Sequence, residues 1–229
     1  ADGFVAMDAD TEYLGAGERV TVTLFSPDVR APRVLGIGED DPALARLLDR
    51  VRNPRYLGEG TRTGLRRLRE GIADVAVTAG DVAETPDATL LGSWTREWGL
   101  VVAAGNPDDV TGITSLVDED LAFVNRGTNS GLRSDFDAAL ESLADERGVA
   151  RHELASAILG YERTVRAHES PARSVASGTA DVGLGLRATA ERLGLDFVSL
   201  GEQKIRVFVA PDRERKAGVV DLQSAIESN

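Results

Sequence analysis

Leu121-Ala122-Phe123-Val124-Asn125-Arg126-Gly127-Thr128-Asn129-Ser130-Gly131 is the stretch that decides the fold. Leu121 to Asn125 reads as a short buried strand, and Arg126 to Gly131 as a tight polar loop. Leu132, Phe136, Leu140 and Leu143 then recur at helical spacing, so the sequence predicts a helix that starts near Gly131. A strand that runs through a glycine-flanked loop into a helix aims amides and short polar side chains at one point. The first turn of a helix has unpaired N–H groups and about half a positive charge, so an anion is a natural guest there. The competing reading is that Asn129 or Ser130 only caps the helix.

The same grammar extends in both directions. Val34 to Gly38 is an apolar strand ending in glycine, and Pro42 suits the first position of a helix with Leu44, Leu47, Leu48 and Val51 on its inner face. Gly58 to Gly64 is a second glycine and hydroxyl loop before a helix carrying Leu65 and Leu68. Thr89 to Trp94 and Trp98 to Ala104 are expected as strands broken at Thr95-Arg96-Glu97, and Phe197 to Leu200 and Ile205 to Val209 as two further strands. Two clauses echo each other: EGIADVAVTAG at 70–80 and SGTADVGLGLR at 177–187. Alternating strands and helices with such an echo predict mainly parallel sheets in two similar lobes. In open sheets of this kind ligands sit beyond the carboxyl ends of strands. The loops at 36–41, 58–64, 126–131 and 168–170 all hold that position and would converge on one cleft. Residues 1–26 are different. Gly3 to Met7 and Val20 to Phe25 read as two strands with a break at Gly15-Ala16-Gly17, and two strands cannot bury a face alone.

Composition narrows the function. The 229 residues carry a net charge of −12, which argues against nucleic acid and anionic membrane as partners. Two of the 26 basic residues, Lys204 and Lys216, are lysines; with the abundant acids this suggests a GC-rich genome and a salt-adapted cytoplasm, with an ordinary acidic protein as the alternative. The absence of cysteine excludes disulfides and thiolate chemistry, and two histidines, His152 and His168, make a histidine-rich metal centre a poor fit. No apolar run approaches the ~20 residues of a membrane span, and the opening Ala-Asp-Gly has no signal core, so the chain is expected to be cytoplasmic and to begin inside a larger polypeptide. No nucleophile–His–acid arrangement stands out, and no loop ends in Gly-Lys-Ser/Thr.

FVNRGTNSGLRSDFD at 123–137, GYERTVRAHESPARSVASGTADVGLGLRATAERLGLDFVSL at 160–200 and GLVVAAGNP at 99–107 resemble a known family. It is the periplasmic-binding-protein-like domain found fused to molybdenum-cofactor biosynthesis proteins, related to tungstate- and molybdate-binding proteins of the type II solute-binding fold. The likeness covers about residues 33–225. ADGFV…AGERVTVTLF at 1–25 is similar, over a shorter match, to the end of the C-terminal β domain of the molybdopterin molybdenumtransferase family. The resemblance implies an α/β fold of two lobes, with crossing strands at about 96–106 and 203–210 as a hinge. It implies a β tail and linker over 1–32 and a binding domain over 33–229, with lobe 1 at about 33–106 and 205–229 and lobe 2 at about 107–204. It also implies a small oxyanion such as molybdate or tungstate in the cleft, no tightly bound cofactor, and parent transferase domains as partners, with homodimerisation an open option.

By the same resemblance Thr128, Asn129 and Ser130 would grip the ligand from one lobe and Thr61 and Thr63 from the other, with His168 and Ser170 in the loop before the second echo. Helix capping is the alternative for the two threonines, and a surface place the alternative for Arg126. Arg133 opposes the dipole of its helix, and Asp135 is its nearest acidic partner in sequence. The segment Gly38-Glu39-Asp40-Asp41 departs from the resemblance, which implies a Ser- or His-containing segment after the first strand; a carboxylate facing a dianion repels it by about 1 kcal/mol at 4 Å in water. Asp40 or Asp41 would then face solvent, cap a helix, or signal a pterin or another zwitterion held jointly with Arg126. The expected role is a binding module. An effector-sensing or docking domain for an organic ligand is the alternative, as is an accessory piece of a molybdenumtransferase, and the fragment is not expected to be catalytic alone. The cluster from Arg213 to Lys216 is read as a solvated tail.

Overall fold

The computed structural model describes residues 3–15, 17–80 and 87–228. Contacts divide the chain into two units, Ala1–Pro32 and Arg33–Asn229. The first is an antiparallel ribbon of β1 (Gly3–Val5) and β2 (Val22–Leu24), with the rings of Phe4 and Phe25 5.9 Å apart. Its strands are shorter than the apolar runs that predict them. Ala16, in the expected break between them, lies outside the described residues.

The second unit opens with β3 (Val34–Gly38), α1 (Pro42–Leu48), β4 (Pro54–Gly58), α2 (Thr61–Arg69) and β5 (Val75–Ala79). A long strand, β6 (Thr89–Val102), leads into α3 (Ile113–Asp118), β7 (Phe123–Arg126), α4 (Gly131–Arg147), α5 (Arg151–Ala157), β8 (Thr164–Val165), α6 (Ser170–Ala176), β9 (Val182–Leu186) and α7 (Arg187–Arg192). A second long strand, β10 (Asp196–Val209), returns, and α8 (Ala217–Glu227) closes the unit. The strands form one sheet ordered β4-β3-β5-β10-β6-β9-β7-β8. Its two flanks are parallel, as expected, and its centre, where β10 meets β5 and β6 meets β9, is antiparallel. This is the two-lobed type II architecture that the sequence predicts.

Each lobe has its own core. Val34, Leu44, Leu47, Val77, Ile205 and Leu222 fill the first. Leu100, Phe123, Leu132, Phe136, Leu140 and Leu184 fill the second. The helical spacing of Leu132, Phe136 and Leu140 puts all three on the buried face of α4, and Phe136 stacks on Phe123 with centroids 5.2 Å apart. Fully burying one such side chain stabilises the fold by roughly 1.5–3 kcal/mol, so this face is enough to fix α4 against its strand.

The echoed Ala-Asp-Val clauses have the same task in each lobe. The Asp74 carboxylate accepts the amide of Leu35 at 2.7 Å, and Asp74 N–H donates to the Leu35 carbonyl at 2.9 Å. The Asp181 carboxylate accepts the amide of Ala122 at 2.8 Å, and Asp181 N–H donates to the Ala122 carbonyl at 2.9 Å. Each aspartate thus pins the start of the neighbouring parallel strand. Asp74 also binds Lys216 at 2.6 Å, so that part of the expected solvated tail is tied to the first lobe.

The expected breaks in the two long strands do not occur. Thr95, Arg96 and Glu97 pair with Lys204, Gln203 and Glu202 inside a continuous ladder of β6 and β10. They are polar because the two strands pass from one lobe to the other at this point. Trp98, Leu100 and Val102 already belong to the second core, whereas Ile205, Val207 and Val209 belong to the first. The first crossing therefore falls near residue 97.

Candidate functional site

The carboxyl ends of β3, β4, β7 and β8 face each other across the two lobes and enclose a cleft of about 610 Å³. At the end of β3, Gly38 lies so close to β5 that a Cβ there would sit 2.1 Å from the Val77 carbonyl oxygen. Glu39 follows, anchored by its amide to Val77 O at 2.8 Å. Its side chain, 1% exposed, reaches the amino end of α4 in the other lobe. There one carboxylate oxygen accepts Ser130 Oγ at 2.9 Å and the other accepts the Gly131 amide at 3.0 Å. Thr61 Oγ1 donates to it at 3.4 Å, and Arg96 Nη2 stands 3.6 Å away. A carboxylate is what the amides and dipole of a helix start favour.

This assigns several residues that sequence analysis offered to a ligand. Ser130 caps α4, accepting from the Leu132 amide at 3.3 Å while it donates to Glu39. Thr61 is the first residue of α2, and its hydroxyl accepts the Ala79 amide at 3.0 Å. Asp41 caps α1, taking the amides of Ala43 and Leu44 at 2.8 and 3.0 Å, and pairs with Arg96 at 3.2 Å. Asp40 receives His168 Nδ1 at 2.7 Å from the second lobe. Burial alone would raise the Asp40 carboxyl; the His168 hydrogen bond and charge, with Arg126 nearby, outweigh it and hold the group below its ordinary value. Burial, with the charges of Glu39, Asp40 and Asp41, pushes the Tyr56 phenol well up, and its hydroxyl donates to the Glu39 carbonyl. Ser170 opens α6 and its carbonyl accepts Ser174 Oγ; neither Ser170 nor His168 lines the cleft. Arg133 pairs with Asp137 at 2.9 Å and lies 4.2 Å over the Tyr161 ring.

What lines the cleft is Asp40, Thr63, Arg126, Thr128, Asn129 and Ser130 from the sequence candidates, together with Glu39, Glu59, Glu162 and Arg166, which sequence reasoning missed. Thr128 and Asn129 are exposed at the rim. Arg126 ends β7 and is 3% exposed, yet among the described residues its Nε and Nη1 have no hydrogen-bond partner. Burial pulls the Arg126 guanidinium below its usual value, against the favourable charges of Glu39 and Asp40. A guanidinium in this setting calls for an acceptor, and a carboxylate or phosphoryl group matches its planar fork.

The hinge itself is wired to the cleft. Arg96 donates from Nε and Nη2 to Gln203 Oε1 at 2.9 and 2.6 Å, and Gln203 Nε2 donates to Asp135 on α4 at 2.7 Å. The chain Glu39/Asp41–Arg96–Gln203–Asp135 therefore runs from one lobe through the crossing strands into the other. The sequence signal for it was the polar triplet at 95–97. Among the described residues no group of three or more His, Cys, Asp or Glu side chains could hold a metal ion, and no helix is long and apolar enough to cross a membrane.

Two lobes on crossing strands, with strand ends and helix starts around an interlobe cleft, define a type II periplasmic-binding-protein-like protein. The family model of the PBP superfamily domain matches residues 45–227, and the chain belongs to that superfamily. It is 32% identical over 120 residues to the uncharacterized protein YvgK of Bacillus subtilis (strain 168), an alignment covering 52% of this chain and 36% of YvgK. The chain thus spans little more than a third of that relative. Among solved structures it is similar to a phosphate ABC transporter substrate-binding protein with bound phosphate from Clostridium perfringens, at 10% identity and a TM-score of 0.60, covering 84% of this chain and 92% of that one. The bromide-bound regulatory domain of HypT from Salmonella typhimurium has a TM-score of 0.59 at 13% identity, over 89% and 97% of the two chains. A sulfate-bound mutant of the OxyR2 regulatory domain from Vibrio vulnificus has 0.56 at 14%, over 87% and 98%. At these identities the likeness speaks for the fold.

Proposed function

We propose that the chain is a small-ligand-binding module whose interlobe cleft takes an organic acid, its carboxylate or phosphoryl group seated on Arg126. The single observation behind this reading is the Arg126 side chain, buried and lining the cleft with two nitrogens unpartnered. A cleft of about 610 Å³ suits a molecule of metabolite size. The lining holds four carboxylates, Glu39, Asp40, Glu59 and Glu162, against Arg126 and Arg166, so a ligand with hydrogen-bond donors or a cationic group beside its acid is favoured over a bare dianion. The phosphate, sulfate and bromide named for the structural neighbours support an anionic group in this cleft.

Capture of molybdate or tungstate beside a molybdopterin molybdenumtransferase is the finer form that the sequence resemblance implies. A pterin-like organic acid fits the mixed charges of the cleft better than either dianion. The test is calorimetric titration of the chain with phosphate monoesters, carboxylates, a phosphorylated pterin, phosphate and molybdate, repeated on Arg126→Met. An organic acid should bind, and the variant should lose about ten- to a hundredfold in affinity, since hydrogen bonds to a charged group contribute about 1.5–3 kcal/mol. Equal binding by both proteins, or none to any compound, contradicts the reading.

A further inference from the structure

We propose that Glu39 is the resident anion of this cleft and its specificity-determining residue: it fills the amino-terminal seat of α4 and so excludes free oxyanions from it. The inference rests on the cleft being a ligand site. Three observations carry it. The 17-residue helix α4 starts at the cleft, and its Gly131 amide and the Ser130 hydroxyl, two donors an incoming oxyanion would use, are both spent on Glu39. The Glu39 carboxylate comes from the opposite lobe, is 1% exposed, and is supported by Thr61 and Arg96, so it is built into the seat. Arg126, 3% exposed and without a partner for two nitrogens among the described residues, remains as a second place in the cleft for an acidic group. The seat that a tetrahedral anion would take is thus closed by the protein's own carboxylate, and the Arg126 place is left to the acidic group of a larger molecule.

The test uses inorganic phosphate, sulfate and molybdate on the wild type, Glu39→Gln and Glu39→Ala. In the wild type the Gly131 amide resonance should stay in place on adding phosphate. Glu39→Ala, with an empty seat, should bind at least one of the three anions about tenfold or more tighter than wild type, with the Gly131 amide moving and the melting temperature rising on binding. Glu39→Gln keeps the side chain's shape and should show the same trend, more weakly. A Gly131 shift in wild-type protein with phosphate overturns the proposal, as does a folded Glu39→Ala that gains no affinity. Should both variants unfold, the wild-type Gly131 result still decides. Failure to bind any organic acid would count against the Arg126 reading alone and leave this comparison unaffected.

Discussion

Gly60 and Asn129 meet backbone to backbone across the cleft: a Cβ on Gly60 would lie 2.1 Å from the Asn129 carbonyl oxygen. Gly60 precedes α2 in the first lobe with φ of +83°, a conformation that side chains resist, and Asn129 sits in the loop before α4 in the second. Gly60→Ala should therefore destabilise the chain twice over, through the strained φ and through the collision. The expected loss is about 1–3 kcal/mol in urea unfolding, with a larger radius of gyration in solution scattering as the lobes part. Unchanged stability and radius would show that the two loops do not meet in solution.

Arg96 is 9% exposed and answers two buried carboxylates, Glu39 and Asp41, as well as Gln203. Arg96→Met leaves both acids without their cation. Breaking a buried pair from one side costs about 3–5 kcal/mol, and a loss of that size is expected in the urea midpoint at neutral pH. A change under about 1 kcal/mol, the size of an exposed pair, would show that the network does little to join the lobes.

Arg126 makes the opposite prediction. Its burial with two nitrogens unpartnered among the described residues is a cost to the fold. Leaving a buried polar group unsatisfied costs about 1–3 kcal/mol, offset in part here by Glu39 and Asp40. Arg126→Met should raise stability by about 1 kcal/mol, the low end of that range, while it weakens ligand binding about ten- to a hundredfold. A destabilised variant would mean that Arg126 is structural.

The Asp40–His168 pair gives a pH signature. The Asp40 carboxyl is held below its ordinary value in the folded chain, so the stabilisation is present above the unfolded carboxylate value and fades as pH falls through the folded one. The Asp40 side chain is 35% exposed and solvent-screened, so Asp40→Asn should cost only about 0.5 kcal/mol at pH 7. That difference should shrink in acid unfolding as pH falls below the ordinary carboxylate value of about 4. A gap that persists there would point to a cause other than the carboxylate charge.

Much of this was legible in the residues, and the rest was hidden for identifiable reasons. The helical spacing of Leu132, Phe136 and Leu140 placed α4, and the repeated Ala-Asp-Val placed β5 and β9 in matching lobes. Arg126 was singled out as the first residue of the polar loop, and the structure makes it the last residue of β7. The polar triplet at 95–97 misled, because a strand crossing between lobes is polar where it leaves both cores. Glu39 was missed because its role depends on Ser130, 91 residues away, and no local spacing encodes such a contact. Ser130 and Thr61 were offered as ligand donors, and in the structure both hydroxyls donate to Glu39.

The most direct test of the cleft is a crystal structure of the chain with the tightest-binding organic acid from the titrations. The account predicts the acidic group within about 3.2 Å of Arg126 Nε or Nη1, with Glu39 still on Ser130 and the Gly131 amide. An acid bound anywhere else, or one that displaces Glu39 to sit on α4 with Arg126 untouched, would contradict it.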